Sequence, residues 1–172
     1  GVIGCGNIGS IVADRALGLK MKVIAYDPYL SPERAKDLGV EKVELDDLFR
    51  RSDFITLHVP LTDATRNIIN AANIAKMKKG AYLINTARGG LVDETALCAA
   101  LQSGQLRAAG LDVFEKEPLP LDCPLLKLDN LLVAGHTAGL DNESWFDTFT
   151  MAAETIVSLS RGDWPAERVQ NL

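Results

Sequence analysis

The sequence predicts an α/β fold: a doubly wound parallel sheet with helices on both faces, in a single domain. Three observations carry that expectation. Short runs that are apolar throughout alternate with longer amphipathic stretches, as strands buried on both faces alternate with helices. A glycine-rich turn joins the first apolar run to the first amphipathic one. Each of the other runs leads into polar or charged residues: Asp27, His58, Thr86 with Arg88, Asp112, and His136. In an open α/β sheet, ligands bind outside the carboxyl ends of the strands, so a whole edge furnished this way points to a site.

The chain has 172 residues, 47% hydrophobic and 24% charged, the balance of an ordinary globular protein. That length suits about one domain and buries a core without disulfides. No apolar run approaches the roughly 20 residues of a membrane helix, so no membrane partner is expected. Net charge is −5, from 23 acidic and 18 basic residues. Binding to a nucleic-acid backbone calls for a basic excess, so nucleic acid is not an expected partner either. Lys76, Lys78 and Lys79 before Gly80 read as the end of a helix. Cys5, Cys98 and Cys123 are odd in number and far apart, the pattern of reduced thiols in a cytoplasmic protein, with no metal site.

In chain order, the first strand is the short run 2–3, cut off just before Gly4-Cys5-Gly6-Asn7-Ile8-Gly9. The spacing predicts a helix over 7–19 and a strand over 23–26. Ser31-Pro32-Glu33 supplies a cap, a first-turn proline and an acid for a helix over 32–38. A helix over 45–51, a strand over 54–57, a helix over 70–78 and a strand over 81–84 follow. Asp93 caps a helix over 93–103 that carries Ala96, Leu97, Ala100 and Leu101, with Gly104 at its stop. Strands over 108–111 and 131–134 complete the sheet. A last helix over 142–161 aligns Trp145, Phe149, Ala152, Ile156 and Leu159 in one stripe, read as core or as a contact surface for a further domain.

The glycine turn is a G-x-G-x-x-G between a strand and a helix. The first glycine permits the turn, the second lets a pyrophosphate approach the backbone, and the third lets helix and strand pack closely. The helix N-terminus then supplies positive potential. Asp27 ends the second strand 18 residues beyond Gly9. A carboxylate there hydrogen-bonds ribose hydroxyls and repels a 2′-phosphate, so the expected cofactor is NAD in a Rossmann-type domain.

Reduction of a 2-oxo acid needs a cation to grip the carboxylate and a proton donor for the carbonyl oxygen. A guanidinium suits the first and a histidine oriented by a carboxylate the second. Arg88 stands in Asn85-Thr86-Ala87-Arg88-Gly89-Gly90. Of the two histidines, His58 in Leu57-His58-Val59-Pro60 reads as a packed strand-end residue rather than a catalyst. His136, in the glycine-flanked loop Gly135-His136-Thr137-Ala138-Gly139, has little packing reason to be there.

These segments resemble the NAD-binding domain of the D-isomer-specific 2-hydroxyacid dehydrogenases over nearly the whole chain. Phosphoglycerate dehydrogenases resemble it most, through Tyr26-Asp27-Pro28-Tyr29, 53–58 and 85–94. The resemblance implies that Arg88 binds the substrate, His136 is the acid/base, and Glu117, in Asp112-Val113-Phe114-Glu115-Lys116-Glu117-Pro118, pairs with His136. Asp112 and the Thr86-Ala87-Arg88 backbone would contact the nicotinamide end. Gly4, Gly6, Asn7, Ile8, Gly9, Asp27, His58, Pro60, Thr65 and His136 complete the expected cofactor-binding set. Formate dehydrogenases of the family carry glutamine where this chain has Glu117, so that reaction is not expected. Glyoxylate/hydroxypyruvate reductases are an alternative within the family. NAD-sensing corepressors are an alternative outside catalysis, disfavoured because Ala138-Gly139-Leu140 lacks their aromatic pair.

The family usually has proline where Gly135 stands. Its members also begin with part of a substrate domain to which the chain later returns. Residues 1–140 are therefore expected to form the NAD(P)-binding domain, and 141–172 the returning helix and a remnant of the substrate domain. The intact protein is expected to be a homodimer acting on a small 2-hydroxy or 2-oxo acid.

Overall fold

The computed structural model describes residues 1–166, in a chain that divides into two compact units, Gly1–His136 and Thr137–Leu172. The sequence reading placed the boundary after residue 140. Residues 167–172, most of the expected substrate-domain remnant, lie outside the described residues.

The first unit is built on seven parallel strands: β1 (Val2–Ile3), β2 (Ile24–Tyr26), β3 (Glu41–Lys42), β4 (Phe54–Leu57), β5 (Ala81–Asn85), β6 (Leu106–Leu111) and β7 (Leu131–Val133). Their order is β3-β2-β1-β4-β5-β6-β7, a Rossmann arrangement that reverses direction between β1 and β4. Helices α1 (Asn7–Gly18), α2 (Pro32–Asp37), α3 (Leu45–Arg51), α4 (Ala71–Ile74) and α5 (Glu94–Ser103) make the connections, with short 3₁₀ turns at Gly89–Leu91 and Pro124–Lys127.

The sheet is apolar because helices cover it. Ile3, Ile55, Leu57, Leu83, Leu97, Leu106 and Leu111 share one buried cluster, and Val2, Ala13, Ala25, Leu30 and Ala35 form a second. The caps are those the sequence suggests. Ser31 Oγ accepts the Arg34 N–H at 3.1 Å, and Asp93 Oδ1 accepts the Ala96 N–H at 3.0 Å. Across the β4–β5 pair, Phe54 lies opposite Tyr82 with ring centroids 4.6 Å apart.

Three elements depart from expectation. β3 has no apolar signal, since Glu41 and Lys42 are both exposed on an edge strand. The helix expected over 70–78 is the single turn α4: Asn70 caps it and it ends at Ile74. The lysines placed in its last turn lie beyond it, where Lys76 reaches Asp46 at 2.7 Å and Lys78 reaches Asp53 at 2.9 Å. β6 begins at Leu106 rather than 108, because Leu106 pairs with Ala81 ahead of a register shift.

In the second unit, α6 (Asn142–Ser160) starts at Asp141, whose Oδ1 accepts the Ser144 N–H at 2.8 Å. Trp145 and Phe149 meet at 5.2 Å, yet no residue of α6 is buried. The aromatic and aliphatic stripe is therefore not core. Among the described residues no helix is long and apolar enough to cross a membrane.

At the end of β7 the backbone continues its pairing. The Ala134 N–H donates to Leu111 O at 2.9 Å, and the His136 N–H to Asp112 O at 2.8 Å. Gly135, between them, does not have a positive φ, and a Cβ built on it meets open space. Gly135→Pro is therefore expected to stabilise the protein by a few tenths to about 1 kcal/mol, through a restricted unfolded chain. Urea unfolding measures it, and a loss of stability beyond about 1 kcal/mol contradicts it.

Candidate active site

Parallel strands all end on one edge, and that edge collects Gly4, Asp27, His58, Thr86, Asp112 and His136. At β1 the glycine turn is seated on the end of β4. Gly4 has φ 91°, and a Cβ there would stand 2.6 Å from the His58 carbonyl oxygen. A Cβ on Gly9 would overlap the Gly4 carbonyl. Gly6 is the N-cap of α1 without a side-chain cap, and a Cβ on it meets nothing within 4 Å. The first-turn N–H groups of Asn7, Ile8 and Gly9 thus have no capping side chain, and with the helix dipole they suit a pyrophosphate.

Asp27 is tied to this loop on both oxygens. Oδ2 accepts the Cys5 N–H and Oδ1 the Tyr29 N–H, each at 2.8 Å. Burial, reinforced by the Asp27 charge, pushes the Cys5 thiol above its ordinary pKa. His58 is half-buried beneath the glycine turn, with Nε2 2.9 Å from Thr56 Oγ1, and burial holds its pKa below the usual value. Pro60 and Thr65 follow in the segment leaving β4, where Thr65 Oγ1 donates to Pro60 O at 2.6 Å.

At the end of β5 the buried Asn85 side chain shapes the next turn. Its Oδ1 accepts the Ala87 N–H at 3.0 Å and its Nδ2 donates to Arg88 O at 2.9 Å. This holds Thr86, Ala87 and Arg88 at the sheet edge, with Arg88 exposed. The following residue is Gly89, where a Cβ would fall on the Phe114 carbonyl group. The arginine turn therefore lies directly on the loop that follows β6.

That loop carries Glu117. Its Oε1 accepts the Phe114 N–H at 2.9 Å, and its Oε2 is 2.8 Å from His136 Nδ1. The histidine hydrogen bond, aided by the Phe114 N–H, holds the Glu117 carboxyl below the ordinary carboxylate range. The Glu117–Pro118 peptide is cis. His136 has φ 58°, a left-handed backbone uncommon outside glycine and asparagine. Asp112, nearby, is buried, and its N–H donates to Asn85 O at 3.0 Å. Glu94, at the start of α5, braces the loop from outside: its Oε1 accepts the Glu115 N–H at 2.6 Å. Burial pushes the Glu94 carboxyl above its ordinary pKa.

The His136–Glu117 pair borders two cavities. One, of about 480 Å³, is lined by Arg88, Gly89, Glu115, Glu117 and His136 among others. The second, of about 590 Å³, is lined by Asp112, Leu119, Val133, Gly135 and the same pair. The structure thus brings Arg88, Glu117 and His136 together, with Asp112 adjoining. Asp27 and the glycine turn stand at other strand ends on the same edge. Asn85 and Glu94 were not singled out as site residues by the sequence. A polar side chain ending an otherwise apolar strand was the available signal for Asn85; Glu94 had none beyond its place in a helical first turn.

Residues 1–138 match the family described as D-isomer specific 2-hydroxyacid dehydrogenase, NAD binding domain. The chain is 50% identical over its whole length to a D-3-phosphoglycerate dehydrogenase of Methanocaldococcus jannaschii, of which it covers 33%. It is 58% identical over 139 residues, 79% of the chain, to a hydroxypyruvate reductase of Thermotoga maritima, of which that stretch covers 44%. The crystal structure of D-lactate dehydrogenase from Aquifex aeolicus complexed with NAD and lactic acid matches with a TM-score of 0.87 and 38% identity, over 94% of this chain and 53% of that one. The chain thus spans from a third to about half of the proteins it matches. Family match, parallel sheet and glycine turn agree, and the chain belongs to the D-isomer specific 2-hydroxyacid dehydrogenases, whose NAD-binding domain it carries.

Proposed function

We propose that this chain supplies the cofactor site and the reacting side chains of an NAD-dependent dehydrogenase that interconverts a D-2-hydroxy acid and its 2-oxo acid. The observation that carries the reading is the 2.8 Å contact between His136 Nδ1 and Glu117 in a cavity that Arg88 also lines. The Arg88 guanidinium grips the substrate carboxylate. With Nδ1 engaged by Glu117, His136 Nε2 takes the hydroxyl proton in oxidation and returns it in reduction. Glu117 fixes the ring orientation. When bound, NAD would accept or supply the hydride; Gly4, Gly6, Asn7, Ile8 and Gly9 would hold its phosphates and Asp27 its ribose. Thr86, Ala87 and Asp112 would lie toward its nicotinamide, and His58, Pro60 and Thr65 would flank it.

The relative at 50% identity along the whole chain supports a phosphoglycerate dehydrogenase-like substrate; the complete protein is also proposed to be a cytoplasmic homodimer. The 58% identity to a hydroxypyruvate reductase supports a second reading, in which the substrate carries no phosphate. A steady-state assay of the complete protein carrying this chain, with NADH and a panel of 2-oxo acids, tests the proposal.

Three outcomes are expected. His136→Asn, chosen because asparagine tolerates the left-handed backbone, cuts turnover by about 10² to 10⁴-fold. Near-normal turnover removes His136 from its role. NAD binds at least about tenfold more tightly than NADP, about 1.4 kcal/mol, and Asp27→Asn narrows the ratio. Equal affinity of the unsubstituted protein for both, by calorimetry, removes Asp27.

The third outcome concerns pH. A carboxyl whose pKa is lowered in the folded state keeps its stabilising contacts above the unfolded pKa and loses them as pH falls through the folded one. Glu117 is therefore expected to titrate, by carbon-detected NMR, below the ordinary value of 4.5, and to move upward in His136→Asn. An unmoved titration in that variant rules out the histidine as the principal cause.

A further inference from the structure

The cavity containing Arg88, Glu117 and His136 is also lined by Arg66. Its place is set by the backbone. Thr65 Oγ1 accepts the Thr62 N–H at 2.8 Å, and the Arg66 N–H donates to Thr62 O at 2.9 Å, which closes a turn just before the arginine. The chain then runs alongside the segment that follows Arg88. The Asn67 N–H donates to Gly90 O at 2.9 Å, the Ile69 N–H to Leu91 O at 3.0 Å, and the Asp93 N–H to Ile69 O at 2.8 Å. Arg66 and Arg88 therefore stand on two segments stitched to each other. A Cβ on Gly90 would lie 3.4 Å from Arg66 Nη1 and 2.9 Å from Leu61 Cδ2, so a side chain there would crowd the guanidinium.

Two guanidiniums line one space, and among the described residues neither forms an ion pair. The cavity's carboxylates are engaged elsewhere. Glu117 binds His136 and the Phe114 N–H, while Glu115 Oε1 accepts the Glu94 N–H at 3.4 Å. One cation suffices for the carboxylate common to every 2-oxo acid. A second cation held beside it in the same cavity fits a second anionic group.

We propose that Arg66 is a specificity-determining residue: it contacts a second anionic group, a phosphate monoester or a carboxylate, at the far end of a short 2-oxo acid whose first carboxylate lies on Arg88. The inference rests on the dehydrogenase reading above and names the substrate class within it. Guanidinium is the suitable group, because its fork holds phosphate or carboxylate oxygens in two places.

The complete protein carrying this chain is assayed with NADH and three acids: hydroxypyruvate, its phosphate ester, and oxaloacetate. The unsubstituted protein is expected to favour one of the two dianions over hydroxypyruvate by about tenfold or more in kcat/KM, and which dianion wins separates phosphate from carboxylate. Arg66→Gln is expected to lower kcat/KM for the favoured dianion by about tenfold to a hundredfold, mainly through KM, with hydroxypyruvate changed less than about twofold. Arg66→Lys restores part of the loss. An equal loss on all three acids makes Arg66 merely structural and overturns the proposal, as does a dianion rate untouched by the substitution. If the unsubstituted protein reduces none of the acids, the dehydrogenase reading fails by itself. Calorimetry with the phosphate ester and oxaloacetate on NADH-loaded protein then decides the inference: weakening of either by about tenfold in Arg66→Gln supports it. Unchanged affinity for both overturns it.

Discussion

Backbone lies directly on backbone at Gly9 and at Gly89 in the first unit, and the site is assembled around both. At Gly9 the first turn of α1 meets the Gly4 carbonyl, so strand, turn and helix form one tight unit at the end of β1. At Gly89 the arginine turn meets Phe114 and Glu115, so the loops after β5 and β6 are one packed layer. Even a methyl group at either position would have to displace main chain, which interiors at crystal-like density resist. The contacts set the separation between Arg88 and the loop carrying Glu117, and between the helix N-terminus and the strand ends beside it.

From that layer the orientation of His136 follows by short steps. Glu94 holds the Glu115 N–H, the Phe114 N–H holds one oxygen of Glu117, and the other oxygen holds the imidazole. The histidine's own backbone is fixed by its N–H on Asp112 O. A left-handed residue in an exposed loop costs energy, and here hydrogen bonds to Asp112 O and to Glu117 keep it there. The pair is accessible to solvent, so its contribution to stability is small and its geometry serves orientation.

Much of this was legible in the residues, and what was not has physical causes. Strands covered on both faces announce themselves as apolar runs, so β2, β4 and β5 stand where composition puts them. β3 does not, because an exposed edge strand of Glu41 and Lys42 carries charge instead of apolar residues. The end of α4 was overrun because the three lysines suggested a helical last turn, whereas Lys76 and Lys78 pair with Asp46 and Asp53 on other segments. The glycine turn and Asp27 could be read from spacing. The pairing of Glu117 with His136 could not, since 19 residues and a whole strand separate them; only family resemblance joined them. Asn85, Glu94 and Arg66 act through contacts made after folding, and their residue types alone carry no such message.

Asp27 gives the loop two hydrogen-bond acceptors, one for Cys5 and one for Tyr29, before any ribose is considered. A replacement that removes its charge therefore also withdraws at least one acceptor from the backbone N–H groups that hold the turn in shape. Drift toward a different coenzyme then has to cross a less ordered intermediate, unless another change in the turn has already supplied those acceptors. On the proposed assignment of Asp27 to the ribose, coenzyme preference is tied to the shape of the turn, and the order in which substitutions arrive matters as much as which ones they are.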